Sequence, residues 1–116
     1  MNNKEFSKLF EKRTLDFGVR IVRLSASLPN TPEGREIRKQ ITESGTSIGA
    51  NYHEANRARS KADFRSKIRI GEGETSETQY WLEMSVALGW LSMDEVRFEF
   101  KECSELLPIF TSISSK

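Results

Sequence analysis

Residues 28–32, Leu-Pro-Asn-Thr-Pro, separate two long stretches of helical pattern. Pro29 disfavours helix at the residue before it, and Pro32 fits the first position of a new helix that Thr31 caps. On both sides, apolar or small side chains recur at alternating spacings of four and three residues, which is typical of a helix packed along a partner. Before the break these positions are Phe10, Thr14, Phe17, Ile21, Leu24 and Leu28, and after it they are Ile37, Ile41, Ser44, Ile48, Asn51, Ala55 and Ala58.

Two capping sequences divide the second half of the chain. Ser60 with Asp63 resembles a capping box and predicts the start of a third helix, and Ser92 with Glu95 predicts the start of a fourth. The third helix follows Phe64, Ile68, Gly71, Thr75, Thr78, Leu82, Ser85 and Gly89, and the fourth follows Val96, Phe100, Cys103, Leu107 and Phe110.

The connections are short and strand alternation is absent, which predicts an all-α fold with one domain over residues 1–116. The expected helices cover about residues 5–28, 32–58, 61–91 and 93–113, with a kink or an early end at Pro108. Four helices joined by short loops predict an antiparallel up-down-up-down four-helix bundle.

The composition is that of a folded domain of 116 residues, 36% of them hydrophobic, with 18 Lys and Arg against 17 Asp and Glu. The net charge of +1 excludes a disordered chain and a uniformly basic coat for nucleic acid or lipid. A single cysteine, Cys103, excludes an intrachain disulfide and favours a reducing compartment. No apolar run reaches the roughly 18 residues of a membrane span, and Met1–Glu5 does not begin a secretory signal. We therefore expect a soluble cytoplasmic protein without membrane contact.

The side chains that carry catalysis or bind metals are too few or wrongly spaced. A di-iron site in a four-helix bundle needs Glu-x-x-His on two helices, but His53 is the only histidine and Ala50 stands three residues before it. One His and one Cys are insufficient for zinc, and the chain has no Gly-x-Ser-x-Gly elbow and no phosphate-binding loop. We expect no catalytic residue, no metal and no cofactor, and a protein that is not an enzyme.

Small and polar residues are unusually common in the middle of the second and third helices. Each helical glycine costs about 1 kcal/mol relative to alanine, so the presence of these residues needs an explanation. Two interpretations stay open: close packing of helices within the chain, and contacts with another subunit. The residues concerned are Ser44, Gly45, Gly49, Asn51, Gly71, Gly73 and Thr75. Asn51 falls on the inward stripe and Glu77 lies beside one, so we expect these two side chains to fix the helix register.

The small net charge conceals large local charges. Residues 57–69 contain six bases and one acid, whereas residues 72–83 contain four acids and no base. Arginine forks match phosphate oxygens, and bases at a helix start oppose the helix dipole, so helix stability does not explain them. Contact with nucleic-acid phosphates is the favoured interpretation, beside a plain charged surface and a protein contact. The candidates are Arg57, Arg59, Lys61, Arg65, Lys67 and Arg69.

Phe64 is the one aromatic residue among these bases. Stacking of single-stranded bases requires aromatic side chains that are available to them. Because Phe64 belongs to the predicted core stripe, we expect no stacking platform here.

Three segments resemble the bacterial 23S rRNA intervening-sequence proteins, also called four-helix-bundle proteins. They are residues 47–56 (Ser-Ile-Gly-Ala-Asn-Tyr-His-Glu-Ala-Asn), 60–64 (Ser-Lys-Ala-Asp-Phe) and 77–83 (Glu-Thr-Gln-Tyr-Trp-Leu-Glu), within a resemblance that spans about residues 10–107. The resemblance implies an antiparallel four-helix bundle that assembles into a barrel-like homopentamer. The family is similar to the accessory variability determinant protein of diversity-generating retroelements, a basic pentamer that binds nucleic acid and the reverse transcriptase. The resemblance implies fold or assembly roles for Ser47, Asn51, Glu54, Asp63, Phe64 and Glu77.

Together these features predict a non-enzymatic, self-assembling helical scaffold or adaptor, with RNA or DNA as the favoured partner. Weak phosphate contacts repeated around a ring of copies would give avidity. The alternative is a protein–protein interaction module without nucleic-acid binding, whose exposed groove takes a partner helix.

Overall fold

Four helices make up most of the chain in the computed structural model, which describes residues 2–116. Helix α1 spans Asn3–Ser25, α2 spans Pro32–Ala55, α3 spans Lys61–Ala87 and α4 spans Met93–Ser114. The described residues contain no strand, so the all-α prediction is confirmed. None of the four helices is long and apolar enough to cross a membrane.

Each helix begins where a side chain satisfies a free backbone amide. The capping residues are Asn2, Thr31, Ser60 and Ser92, and each accepts a hydrogen bond from the amide three residues on. Ser92 and Glu95 form a complete capping box, because the Glu95 carboxylate also accepts from the Ser92 amide. These caps fix the helix starts that Pro32 and the two Ser motifs predict.

Three helices end earlier than expected. Helix α1 stops at Ser25 rather than Leu28, and α2 stops at Ala55 rather than Ala58, because the amides of residues 26–28 and 57–58 bond to carbonyls three residues back in tight turns. Helix α3 stops at Ala87 rather than Leu91.

Gly89 ends α3 and does not continue its buried stripe, which corrects the prediction. Its φ of +74° is the left-handed conformation that favours glycine. The Gly89 amide donates to the Val86 carbonyl, and the Trp90 amide donates to the Ser85 carbonyl at 3.0 Å. This hydrogen-bond pair is a Schellman motif, which closes a helix at a left-handed residue.

Helix α4 continues through Pro108 to Ser114, so an early end at Pro108 is wrong, and the alternative of a kink there stays a prediction. Proline removes the amide that would bond to the carbonyl four residues back, which belongs to Ser104. Both Pro108 and Ser104 are exposed, so water reaches this carbonyl. The helix therefore tolerates the proline on its solvent side.

The helices enclose one elongated core, with extents of 43 × 25 × 20 Å. Helix α2 packs against α1 and α3, α4 packs against α3, and contacts between α1 and α4 are fewer. Near one end the rings of Phe10, Tyr52 and Phe110 meet edge to face, with the centroids of Phe10 and Tyr52 4.7 Å apart. Near the middle, the buried Thr78 hydroxyl donates to Ser44 Oγ at 2.9 Å and links α3 to α2.

The predicted core stripe holds closely for α3, and on the other helices most predicted positions are buried while single positions are displaced by one residue. The buried residues of α3 are Ile68, Gly71, Thr75, Thr78, Leu82 and Ser85, all of them predicted. On α2 the buried side chain is Tyr52, whereas Asn51 is half-buried. On α4, Leu106 is buried and Leu107 is half-buried.

Three helical glycines sit at close helix contacts. A Cβ on Gly45 would lie 2.5 Å from Ile21 Cγ2, and a Cβ on Gly49 would lie 3.1 Å from the Thr14 carbonyl. A Cβ on Gly71 would meet the Phe110 ring. Close packing within the chain is confirmed at these positions.

Gly73 differs, since a Cβ there would have no neighbour within 4 Å. Contact with another subunit stays a prediction for this residue.

Candidate nucleic-acid interface

The six basic candidates extend from the α2–α3 loop into the first half of α3. Lys67 is half-buried and the other five are exposed. Among residues 2–116, no Asp or Glu carboxylate lies within 4 Å of Arg59, Lys61, Arg65 or Arg69. These four charges are therefore the ones available to an external anion.

Arg57 is held by neighbours within the chain. Its guanidinium donates to Glu11 Oε1 at 3.1 Å and to the His53 carbonyl at 2.8 Å. Glu11 also contacts His53 Nδ1 at 3.0 Å and accepts from Asn56 Nδ2 at 3.2 Å. Burial raises the pKa of Glu11, but the hydrogen bonds from Arg57 and Asn56 outweigh it, so the pKa is lowered. Glu11 thereby ties α1 to the start of the α2–α3 loop.

Lys67 forms an ion pair with Glu54, one of the family-motif residues, at 3.1 Å. The hydrogen bond to Glu54 raises the pKa of Lys67. Lys67 therefore joins α3 to α2, and its charge is partly matched.

Two lysines that sequence reasoning did not include lie beside these candidates. Lys4 and Lys8 line a hollow of about 570 Å³ together with Arg57 and Asn56. The first 23 residues contain six bases and three acids, and this excess of positive charge was the sequence signal that could have indicated the two lysines. We use the term basic surface for Lys4, Lys8, Arg57, Arg59, Lys61, Arg65 and Arg69.

A cleft of about 500 Å³ opens between the α2–α3 loop and the end of α4. Its lining combines apolar residues with bases: Ala55, Asn56, Ala58, Arg59, Ser60, Lys61, Phe64, Arg65, Ile113 and Lys116. Phe64 is half-buried, so the core does not enclose it fully, contrary to the expectation from its place on the stripe. We call this hollow the Phe64 cleft.

A further hollow of about 480 Å³ continues the basic surface along α3. It is lined by Ala62, Arg65, Ser66, Arg69 and Ile70. Arg65 belongs to both this hollow and the Phe64 cleft, and its guanidinium donates to the Lys116 carbonyl at 3.4 Å. The basic residues thus form one connected surface.

Asn51 and Glu77 do not fix the helix register through buried contacts, which corrects the prediction. The Asn51 amide donates to the Ser47 carbonyl of its own helix at 2.8 Å. Glu77 is exposed and accepts from Trp81 Nε1 at 3.3 Å. The Ser47 hydroxyl donates to the Glu43 carbonyl within α2.

The remaining motif residues are also outside the closed core. Asp63 and Glu54 are exposed, and Phe64 is half-buried. All six positions therefore present at least part of their surface to solvent.

Acidic residues cluster on the face shared by α2 and α3. Desolvation raises the pKa of Glu74, and the nearby charges of Glu77 and Glu43 raise it further. A carboxylate cluster of this kind repels phosphate, so the basic surface and this acidic face have opposite preferences for partners.

An apolar groove of about 760 Å³ lies between α1 and α2. Leu15, Val19 and Val22 are exposed along it, while Gly18 and Gly49 contribute little side-chain bulk. Its lining also includes the basic residues Lys12 and Arg23. We call this surface the α1/α2 groove.

Residues 2–116 hold no cluster of three His, Cys, Asp or Glu side chains arranged for a metal ion. Cys103 is fully buried, and burial together with the nearby Glu102 and Glu99 charges raises the pKa of its thiol to about 12.

Comparison with known proteins identifies the family. The sequence profile described as 23S rRNA-intervening sequence protein matches residues 9–112. The chain is similar to a protein of unknown function from the S23 ribosomal protein family of Bacteroides thetaiotaomicron VPI-5482, whose crystal structure was determined at 1.70 Å. The two share 37% sequence identity with a TM-score of 0.84, over 91% of this chain and 98% of the other. No curated protein matches the chain. The chain therefore belongs to the 23S rRNA-intervening sequence protein family.

Proposed function

We propose that this protein is a non-enzymatic, self-assembling scaffold or adaptor in the cytoplasm that binds nucleic acid, RNA in particular, through its basic surface. The observation that carries the proposal is the connection of Arg59, Lys61, Arg65 and Arg69, none of them paired with an Asp or Glu side chain, into one surface with Lys4 and Lys8. Unpaired basic side chains on a connected surface suit the spaced phosphates of a polynucleotide.

We infer that the four helices run up-down-up-down. Contacts between α1 and α2 support this order, because residue numbers rise on one helix as they fall on the other: Thr14 lies near Gly49, and Gly18 lies near Gly45. The same order relates Arg65 with Lys116 and Gly71 with Phe110 on α3 and α4. This arrangement brings the start of α1, the α2–α3 loop and the end of α4 to one end of the bundle, where the basic surface lies.

Self-assembly is supported by separate apolar surfaces on one chain. The α1/α2 groove is one, and α3 provides others at Ile70 and at Tyr80, which are 43% and 51% exposed. Residues 72–83 carry four acids and no base, whereas the groove lining carries two bases, Lys12 and Arg23, and one acid, Glu11. A groove that meets a different surface on the next copy forms a heterologous contact, and such contacts form a ring when the rotation between copies closes.

The resemblance to the accessory variability determinant protein of diversity-generating retroelements supports a ring of five copies. A ring repeats the basic surface once in each subunit, so weak phosphate contacts add up to useful affinity.

The RNA proposal is tested by retention of RNA at increasing salt. We expect binding at low salt that weakens steeply as salt rises, since each phosphate contact releases counterions. Charge reversal of Arg65 and Arg69 to Glu should weaken binding and reduce the salt dependence. The matched control reverses Lys39 and Lys101, two exposed bases outside the basic surface, and should leave RNA binding nearly unchanged.

Absence of RNA retention at low salt would refute this proposal. Equal losses from the two double variants would also count against it, because a general charge effect would then explain the binding.

The assembly proposal is tested by light scattering on the 13.3 kDa chain. We expect a pentamer, and dissociation when Val19 in the α1/α2 groove is replaced by Glu. Leu9→Glu is the control, because Leu9 is also an exposed apolar residue of α1 but lies outside the groove. A wild-type monomer would contradict the proposal.

The α1/α2 groove also favours the alternative of a protein–protein interaction module without nucleic-acid binding. A partner helix would pack along Leu15, Val19 and Val22, in the manner of helix-in-groove recognition. A partner that survives nuclease treatment and is lost with Val19→Glu, from a protein that retains no RNA, would favour this alternative.

A further inference from the structure

The Phe64 cleft combines features that simple phosphate contact does not need. Bases line one part of it, with Arg59, Lys61 and Arg65 among them, whereas Ala55, Ala58 and Ile113 make other parts apolar. A surface that only neutralises phosphates needs charge but no apolar hollow. The cleft is therefore suited to a ligand that is partly apolar and partly anionic.

We propose that the Phe64 cleft binds one unpaired nucleotide of an RNA strand, with its base against Phe64 and its phosphates near Arg59, Lys61 and Arg65. This inference rests on the proposed function and specifies the RNA partner as one with accessible, unpaired bases.

The size and composition of the cleft support this ligand. Its volume of about 500 Å³ falls in the range of about 300–1,000 Å³ that is usual for small-ligand sites. Proteins hold unpaired bases by stacking them on aromatic side chains, and Phe64 is an aromatic residue in the lining with part of its surface exposed. Asn56 and Ser60 add polar groups beside it, of the kind that bond to base edges.

The position of the cleft disfavours a duplex in the same place. Bases within a duplex are paired and stacked on each other, so they cannot enter a recess between the α2–α3 loop and the end of α4. A duplex meets only the exposed bases around the opening. The cleft thus predicts discrimination between single-stranded and double-stranded RNA that carry equal numbers of phosphates.

The experiment compares the affinities of a short fluorescein-labelled oligouridylate and an RNA duplex with the same number of phosphates by anisotropy, at one low salt concentration. We expect the single strand to bind about tenfold more tightly, as one aromatic stacking contact provides. Phe64→Leu retains an apolar side chain and should abolish most of this preference while leaving duplex binding unchanged. The control is Phe100→Leu, because Phe100 is also a half-buried aromatic residue but does not line the cleft.

A second measurement uses the wild-type protein and is independent of the stability of any variant. Oligouridylate that contains 4-thiouridine should form photo-crosslinks within residues 55–65 or 113–116, which line the cleft, located by mass spectrometry. Crosslinks confined to other residues would overturn the nucleotide site, as would equal affinity for single strand and duplex with no effect of Phe64→Leu. RNA binding that persists in these cases leaves the proposed function standing, whereas no binding of either RNA refutes both.

Discussion

Gly71 and Gly73 lie two residues apart on α3, and we expect alanine to have opposite effects at the two positions. A Cβ on Gly71 would lie 2.7 Å from Phe110 Cε1, well inside the roughly 3.5–4.0 Å at which carbon atoms attract one another. The Phe110 ring has little room to move, because it is fully buried and in edge contact with Phe10 and Tyr52. A Cβ on Gly73 has no neighbour within 4 Å.

The expected magnitudes follow from two opposing contributions. Alanine stabilises a helix by about 1 kcal/mol relative to glycine, whereas overpacking a core costs about 1–3 kcal/mol. In Gly73→Ala only the higher helix propensity of alanine acts, so the free energy of unfolding should rise by about 1 kcal/mol. In Gly71→Ala the cost of overpacking exceeds the gain in helix propensity, so the free energy of unfolding should fall by about 1 kcal/mol. The two variants should therefore differ by about 2 kcal/mol.

Urea denaturation followed by circular dichroism measures this difference. Several protein concentrations are needed, since assembly adds a concentration-dependent contribution to stability. If Gly71→Ala were as stable as Gly73→Ala, the register that places Gly71 against Phe110 would be wrong. A Gly73→Ala protein that is more stable as a monomer but no longer assembles would place Gly73 at a subunit contact.

Three further predictions concern single residues. Pro108→Ala restores an amide donor inside α4 and should stabilise the protein by up to about 3 kcal/mol in chemical denaturation; an unchanged or lowered midpoint would contradict the reasoning. The lowered pKa of Glu11 stabilises the fold above the ordinary Glu value of about 4.3, and this contribution is lost as pH falls through the lower folded value. Denaturation midpoints of Glu11→Gln should therefore fall less between neutral and acid pH than those of the wild type, and parallel curves would refute this. The buried Cys103 thiol, with its pKa near 12, should not react with a thiol reagent at about pH 8 unless urea is added; rapid reaction of the native protein would show that α4 opens.

Local signals in the sequence determine most of the fold. The starts of α2, α3 and α4 follow from Thr31, Ser60 and Ser92, because a capping side chain acts on an amide only three residues away. The end of α3 was harder to place, since Gly89 continues the helical spacing and only its positive φ shows that it terminates the helix.

Residues whose burial depends on distant partners were missed. Glu99 is buried although it is charged, because Arg20 on α1 donates to its carboxylate at 3.0 Å. Tyr52 is buried in place of Asn51 because its ring fits between Phe10 and Phe110. Spacing along one helix cannot reveal either partner. Because adjacent residues are 100° apart, two neighbours can lie on opposite sides of the centre line of a stripe at similar angles, and the pattern does not show which one is buried.

The candidate site was predicted in part for the same reason. The bases of residues 57–69 are adjacent in sequence and could be recognised from composition alone. Lys4 and Lys8 join them only through the packing of α1 against α2. The exposed part of Phe64 depends on the gap beside Ile113 at the end of α4, and no pattern within α3 shows that gap.

The order of charges along α3 has a consequence for evolution as well as for binding. Lys61 begins the first turn of α3, where the positive end of the helix dipole makes a base unfavourable by about 0.3–1 kcal/mol, and Arg65 follows in the second turn, where the effect is weaker. Replacing them with acids should thus make the free protein harder to unfold while making it worse at holding an anion. Selection for stability alone would remove these bases, so their presence favours the proposed role in anion binding. A bound polyanion reverses the penalty, and the protein should melt at a higher temperature with its ligand than without it.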